Sequence, residues 1–149
     1  MFNIVLVEPE IPPNTGNIGR LCLATQSTLH LIKPLGFSLE DRQLRRAGLD
    51  YWHDVPLQLW DSFDALQRSQ SDEARYFFLT TKIQFPYYRV NFRKNDFFVF
   101  GRETKGLPHK LLAANTDNCI TIPMYGTRSL NLATAVAVVL FEAVRQQQV

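Results

Sequence analysis

The sequence has few of the residues that bind metal ions or form covalent cross-links. Its 149 residues include two cysteines, Cys22 and Cys119, and three histidines, His30, His53 and His109. The histidines are scattered without metal-ligand spacing, and the cysteines form no CxxC pair. Both cysteines fall in predicted apolar elements, so we expect buried, reduced thiols and no metal site.

A long apolar run and a targeting leader are also missing. No run of apolar residues is long enough to span a bilayer, and the N-terminus lacks the basic region and cleavage site of a signal peptide. We therefore expect a cytoplasmic protein with no membrane segment. Hydrophobic residues make up 46% of the chain, which predicts one folded domain over residues 1–149.

Predicted strands and helices alternate along the chain. The strands fall at residues 2–8, 28–32, 55–60, 75–80, 96–100 and 118–122, and the helices at 14–26, 39–47, 61–67, 108–114 and 131–147. Several strands are apolar on both faces. This pattern is typical of an α/β fold with a mostly parallel sheet flanked by helices. Pro56 predicts that the third strand lies at an edge of the sheet.

The last helix is apolar around nearly its whole circumference, although a surface helix needs only one apolar stripe. Its second face must therefore be covered. Either the chain wraps around the helix or another subunit covers it, and a symmetric homodimer is the simpler prediction.

Three segments rich in Gly, Asn and Pro follow predicted strands, at residues 14–20, 100–108 and 122–131. Ligands of open α/β sheets bind at the carboxyl ends of the strands, so these segments predict one shared pocket. In the first, Gly16 and Gly19 allow a close backbone approach, and Asn14 or Thr15 can cap a helix.

The second segment carries Glu103, which can accept hydrogen bonds or hold a loop in place. In the third, Pro123 ends a strand, and Ser129 and Asn131 are candidate caps of the last helix. None of the segments has the G-x-G-x-x-G spacing of a dinucleotide site or the G-K-[ST] of a phosphate loop. The missing fingerprint therefore counts against a nicotinamide cofactor.

The net charge of +2 does not by itself indicate nucleic acid binding, but the distribution of basic residues is suggestive. Simple exposure to solvent explains any one cluster as well as binding of nucleic acid does. It does not so readily explain why basic residues occur in or beside all three segments. The clusters are Arg42, Arg45 and Arg46; Arg89, Arg93 and Lys94; and Arg20, Arg102, Lys105 and Arg128.

Five stretches together resemble a known family. They are residues 7–18, 44–51, 79–82, 100–106 and 122–124. Their order and spacing resemble the SPOUT class of RNA methyltransferases and, within it, the small single-domain TrmL (YibK) branch. That branch methylates the ribose 2′-oxygen at the wobble position of tRNA. The likeness runs almost from end to end.

The resemblance implies an α/β domain whose C-terminal part is threaded into a deep trefoil knot, a homodimer, and S-adenosylmethionine as cofactor. The site would be completed across the dimer interface. The resemblance assigns ten residues to the cofactor: Leu79, Thr80, Gly101, Glu103, Gly106, Ile122, Met124, Ser129, Leu130 and Asn131. For tRNA, we expect contacts from Asn14, Asn17, Arg42, Arg45, Arg46 and Arg128.

Arg20 matches the arginine that is proposed to be catalytic in the family. A guanidinium stays protonated near neutrality and is a poor base. Arg20 could stabilise a developing alkoxide, or orient the 2′-hydroxyl toward an RNA phosphate that takes the proton. We thus expect a 2′-O-methyltransferase acting on nucleotide 34, a cytidine or modified uridine. The alternatives are another tRNA or rRNA position, an inactive RNA-binding module, or a nucleotide-dependent oxidoreductase.

Overall fold

Short runs of aliphatic and aromatic residues form a six-stranded sheet. The computed structural model describes residues 1–148. The strands are β1 (Asn3–Val7), β2 (Thr28–Ile32), β3 (Leu57–Trp60), β4 (Tyr76–Leu79), β5 (Phe97–Phe100) and β6 (Cys119–Ile120). Across the sheet they lie in the order β3-β2-β1-β5-β4-β6, and all pairings between them are parallel. The predicted parallel sheet is confirmed, as is the edge position of β3.

Helices cover both faces of the sheet. Because successive residues of a strand point to opposite faces, Ile4 and Leu6 of β1 pack in one apolar cluster and Val5 and Val7 pack in the other. The helices are α1 (Pro12–Ala24), α2 (Arg42–Gly48), α3 (Phe63–Ser69), α4 (His109–Ala114) and α5 (Leu132–Gln147). The first cluster includes residues of α1, α2 and α5, and the second includes residues of α3 and α4.

The first helix begins earlier than predicted. Pro12 and Pro13 occupy its first positions, where a missing N–H costs nothing. Its N-cap is Ile11, which makes no side-chain cap, so the prediction that Asn14 or Thr15 caps it is wrong. Residues 14–20 are therefore helical, and the loop proper is residues 8–11. We call residues 8–20 the β1–α1 segment.

Three other helices do begin at side-chain caps. Asp41 caps α2 by accepting from the N–H groups of residues 43 and 44, which moves the start from the predicted residue 39 to 42. Ser62 caps α3, and Asn131 caps α5. Ser129, the other candidate for α5, lies two residues before that cap. These side chains satisfy N–H groups that have no partner within the helix.

The two glycines of the β1–α1 segment face the protein interior. A Cβ at Gly16 would lie 2.2 Å from the carbonyl oxygen of Leu44, and one at Gly19 would lie 2.8 Å from the Trp52 ring. The close approach predicted from these glycines is thus to α2 and to the short 3₁₀ helix Leu49–Asp54. This close packing holds α1 against α2 and the 3₁₀ helix, and it leaves no room for a ligand beside the two glycines.

The segment between β4 and β5 is tied to both β6 and α5. The amide of Thr121 donates to the carbonyl oxygen of Phe85 over 2.9 Å, so the backbone beyond β6 pairs with this segment and β6 ends at residue 120, two residues earlier than predicted. Gln146 of α5 donates to the carbonyl of Val90 (3.0 Å) and accepts from the amide of Phe92 (2.8 Å). The last helix is therefore clamped to residues 90–92.

A buried histidine lies on β2. His30 Nδ1 accepts from the indole N–H of Trp60 (3.1 Å), so Nε2 carries the proton and donates to Asn3 Oδ1 (2.9 Å). Burial lowers the pKa of His30 from 6.5 to about 4. The ring is neutral at pH 7 and serves to connect three strands.

Strand order reverses between β1 and β5. From β1 the chain proceeds outward to β2 and β3, and it then returns to build β4, β5 and β6 on the other side. Ligands of open α/β sheets bind where the order reverses, at the carboxyl ends of the strands. The β1–α1 segment follows β1 at that point, and residues 100–108, the second loop, follow β5.

Candidate methyl-donor and RNA site

The carboxylate of Glu103 joins the second loop to the β1–α1 segment. Its Oε1 accepts from the amide of Glu10 (2.9 Å), and its Oε2 accepts from the amide of Ile11 (2.8 Å) and from Asn14 Nδ2 (3.2 Å). In return, the hydroxyl and amide of Thr104 donate to Glu10 Oε1. These two bonds, the hydroxyl first, lower the pKa of Glu10. The reciprocal bonds fix the two segments relative to each other.

Asn131 joins residues 122–131, the third loop, to the same network. Its Nδ2 donates to Asn14 Oδ1 over 3.0 Å, while its Oδ1 accepts from the amide of Thr134 as the cap of α5. Asn14 thereby contacts both Glu103 and Asn131. The predicted meeting of the three segments is confirmed.

A cavity of about 500 Å³ lies where these segments meet the end of β4. It has apolar walls, such as Leu79 and Ile122, and hydroxyl groups from Thr80 and Ser129. All ten residues that the family resemblance assigned to the cofactor line it: Leu79, Thr80, Gly101, Glu103, Gly106, Ile122, Met124, Ser129, Leu130 and Asn131.

The second loop makes a tight reverse turn. Arg102 and Gly106 exchange backbone hydrogen bonds of 3.2 and 2.8 Å. Gly106 has φ +68°, and a Cβ at Gly101 would lie 2.0 Å from the carbonyl carbon of Gly106. Both glycines are thus needed for the turn that holds Glu103 at the cavity wall.

Arg20 lies outside this cavity. Its side chain is exposed on α1 and lines a second groove, of about 720 Å³, together with Asn17 and Tyr51. Asn131 lines both spaces, so the groove and the cavity are neighbours. Of the ion pairs formed within residues 1–148, none involves Arg20. Its charge is therefore available to a ligand.

Most of the predicted RNA-contacting residues are exposed, and one is not. Arg42, Arg46, Asn17 and Arg128 are open to solvent, whereas Arg45 is paired with Glu40 at 3.2 Å. Asn14 is 7% exposed, and its amide is engaged by the two bonds described above. The structure gives Asn14 an internal role that the sequence did not reveal, and contact with RNA by any of these residues stays a prediction.

The cavity wall contains residues beyond the ten assigned ones. Ile11, Lys82 and Thr121 line it but were not assigned to the cofactor, and Thr104 and Lys105 lie within the stretch 100–106 that carries the resemblance but were not named individually. Lys82 belongs to one of the stretches that carry the resemblance, so a signal was present. Ile11 and Thr104 are joined to the opposite segment by hydrogen bonds to Glu103 and Glu10, respectively. No local sequence pattern indicates hydrogen bonds between residues so far apart in the chain.

Both cysteines are buried and free, as predicted. Burial raises the pKa of Cys22 to about 12 and raises that of Cys119 as well, which keeps the thiols protonated and poorly reactive. In the described part of the chain, no three His, Cys, Asp or Glu side chains are grouped to hold a metal ion. None of the helices within residues 1–148 has the length and hydropathy to cross a bilayer.

Comparison with known proteins gives matches over nearly the whole chain. Residues 1–141 match the model of the SpoU rRNA Methylase family. A tRNA (cytidine(34)-2'-O)-methyltransferase of Burkholderia cenocepacia is 50% identical over 151 residues, which cover 98% of this chain and 96% of that protein.

Two solved structures are also similar. One comes from work on the 2-OH methylation of C/U34 on tRNA; it has a TM-score of 0.94 at 46% identity and covers 98% of this chain and 95% of that one. The other is the SpoU methyltransferase AviRb from Streptomyces viridochromogenes in complex with the cofactor AdoMet. Its TM-score is 0.85 at 23% identity, covering 97% of this chain and 57% of that one, a likeness of fold alone.

Proposed function

Because this chain belongs to the SpoU rRNA methylase family, we propose that it is a tRNA 2′-O-ribose methyltransferase that uses S-adenosylmethionine and acts on nucleotide 34, a cytidine or modified uridine. The observation that carries the proposal is the meeting of three segments at one cavity lined by all ten assigned residues. The name of a relative at 50% identity supports the substrate and position. The reaction would take place in the cytoplasm, where tRNA is used.

The cavity fits S-adenosylmethionine in size and in chemistry. Its volume of about 500 Å³ lies within the range of roughly 300–1,000 Å³ that is common for cofactor sites. Leu79, Ile122 and Leu130 offer apolar surface to a purine ring, and Thr80 and Ser129 offer hydroxyl groups to polar parts. When bound, the cofactor supplies a methyl group that is already activated by a positively charged sulfur.

The chain's own task is then to align the acceptor and to help the 2′-hydroxyl lose its proton. Alignment of two reactants can supply roughly 7–11 kcal/mol of the barrier reduction. A guanidinium is a poor base, so Arg20 acts as a donor to the oxygen and does not accept its proton. It stabilises the developing negative charge, or it turns the hydroxyl toward an RNA phosphate that takes the proton.

The proposed unit is a single-domain protein that pairs with a second copy through α1 and α5. Small and apolar residues dominate the Arg20 groove, and Phe141 of α5 is 45% exposed. A symmetric pair would cover this second apolar face of α5 and bring the partner subunit next to Asn131, where groove and cavity meet. The apolar residues of the groove are Leu21, Leu23, Ala24, Ala133 and Ala137.

We further propose that the C-terminal part of the chain forms the deep trefoil knot of the SPOUT class. The hydrogen bonds between α5 and residues 90–92 support this proposal, because they hold the last helix against a segment that precedes β5 in the chain. The TM-score of 0.94 to a structure 46% identical supports it as well.

The decisive experiment is transfer of labelled methyl groups to bulk tRNA, followed by mapping of the label. We expect the label on the 2′-oxygen of nucleotide 34. Arg20→Ala should retain cofactor affinity in calorimetry and lose about 10²–10³-fold in turnover, the usual cost of removing one oxyanion donor. Arg68→Ala is the matched control, because Arg68 is an exposed arginine of α3 that pairs with Asp64 on the same helix.

The outcomes separate the alternatives. Parental turnover by Arg20→Ala would remove Arg20 from the mechanism. Label at another nucleotide would change the substrate. Normal cofactor binding without methyl transfer to any tRNA would favour an inactive RNA-binding module, and binding of NAD in place of S-adenosylmethionine would favour an oxidoreductase.

A further inference from the structure

The third loop carries an aromatic ring that packs against almost nothing in its own subunit. Tyr125 is 97% exposed, the highest value among the exposed large hydrophobic residues of the described chain. Residues 126–130 of the loop are exposed too. Single exposed aromatics are common on protein surfaces, so the position of this one decides whether it matters.

Tyr125 lies in the chain between residues that line the cavity. Met124 directly before it and Ser129 shortly after it both line the cavity. Neighbouring Cα atoms are only about 3.8 Å apart, so the Tyr125 ring starts within one residue of the cavity wall. The loop then runs to Asn131, which borders both the cavity and the Arg20 groove. A nucleotide that spans the cavity and the Arg20 groove would therefore pass beside this loop.

The other aromatic residues at these two spaces are poorly placed for a base. Phe100 lines the cavity but is 2% exposed and belongs to the core. Tyr51 lines the Arg20 groove and not the cavity. That leaves Tyr125 as the ring open to a base beside the cavity.

An exposed cation accompanies this ring. Arg128 lies three residues further along the loop and takes part in none of the ion pairs of residues 1–148. Unpaired nucleotides are held on proteins by stacking of the base on an aromatic ring and by basic contacts to the phosphates. The loop offers both groups within four residues.

We propose that Tyr125 is the platform on which the base of the target nucleotide stacks, with Arg128 on a neighbouring phosphate. The proposal rests on the proposed function and adds a substrate-positioning residue to it. Stacking would hold the base still so that its ribose presents the 2′-hydroxyl to Arg20. Tyr125 takes no part in moving the proton.

The test uses the full-length protein and an anticodon stem-loop RNA, with the variants Tyr125→Leu, Tyr125→Phe and Tyr125→Trp. Loss of the ring should raise KM for the RNA by roughly 5- to 100-fold, from the usual strength of base–aromatic stacking. The two aromatic variants should stay near the parent, and affinity for S-adenosylmethionine should be unchanged in all three.

A second readout reports on the base itself. With the fluorescent cytidine analogue pyrrolocytidine at the target position, binding to the parent should quench the fluorescence, and binding to Tyr125→Leu at saturating concentration should not. Parental KM and quenching in Tyr125→Leu would overturn the stacking role alone. A change in the dimer mass of Tyr125→Leu in solution would assign the ring to the subunit interface instead. Failure of the parent to methylate any tRNA would contradict the proposed function.

Discussion

Replacement of Glu103 by glutamine tests whether a carboxylate holds the cavity walls together. Its two oxygens accept three hydrogen bonds from the β1–α1 segment. A glutamine amide has one oxygen and an NH₂ group that only donates. If the amide oxygen replaces Oε2, the bonds from Ile11 and Asn14 are retained. The NH₂ group then faces the N–H of Glu10, and two donors oppose each other.

The magnitude follows from these hydrogen bonds. One bond to a charged acceptor is removed outright, and such bonds contribute about 1.5–3 kcal/mol each. The two remaining bonds weaken because their acceptor is now neutral. We therefore expect Glu103→Gln to lower the free energy of unfolding by about 2–3 kcal/mol. Since Glu103 also lines the cavity, affinity for S-adenosylmethionine should fall by about 10- to 100-fold, at roughly 1.4 kcal/mol per factor of ten.

Urea unfolding and calorimetric titration with S-adenosylmethionine measure the two effects separately. Glu73→Gln is the matched control, because Glu73 is exposed and takes part in none of the ion pairs of residues 1–148. The control should behave as the parent does. Unfolding of Glu103→Gln at the parental urea concentration, together with parental affinity for the cofactor, would show that the carboxylate does not hold the cavity walls together.

Three further predictions follow from packing, burial and charge. Gly16→Ala would set a Cβ 2.2 Å from the carbonyl oxygen of Leu44, so it should destabilise the fold by about 1–3 kcal/mol in urea unfolding; unchanged stability would mean that α1 and α2 separate easily. Burial lowers the pKa of His30 from 6.5 to about 4. The unfolded chain therefore binds this proton first as the pH falls, and stability should decrease between pH 6.5 and 4 by about 3 kcal/mol more in the parent than in His30→Gln; equal slopes would contradict the burial argument. The double variant Arg42→Ala/Arg46→Ala should reduce the dependence of log Kd for RNA on log salt by roughly 0.7 for each phosphate that is no longer neutralised, and an unchanged slope would show that these arginines face only solvent.

The secondary structure was largely predictable because hydrophobic patterning is a local property. The strand at residues 28–32 is confirmed residue for residue, and the other strands and helices are confirmed with shifted ends. Three of these shifts have an identifiable cause in a capping side chain, a proline or a backbone pairing. The α2 helix begins after its cap Asp41, α1 begins at Pro12, and β6 ends where Thr121 pairs with Phe85.

The residues that line the candidate site were predictable, but the hydrogen bonds that join them were not. Residue types at strand ends indicated one pocket, and the family resemblance assigned ten residues that do line it. Their binding of the cofactor stays a prediction. Asn14 was expected to cap a helix, and it instead connects Glu103 with Asn131; its contact with RNA stays a prediction. Gly16 was expected to allow a close backbone approach, and only the structure shows that the approach is to the backbone of α2.

The features that the sequence predicted and those that it did not predict differ in how far apart the interacting residues lie along the chain. Strands, helices and the polar residues that follow each strand depend on neighbours a few positions away, so the sequence was enough to find them. The Glu103–Ile11 and Asn131–Asn14 bonds join residues 92 and 117 positions apart. They exist only because β5 lies beside β1 and α5 returns to α1. That arrangement comes from burial of the whole sheet, and only the tertiary structure could disclose that Arg20 lies in a groove beside the cavity and not inside it.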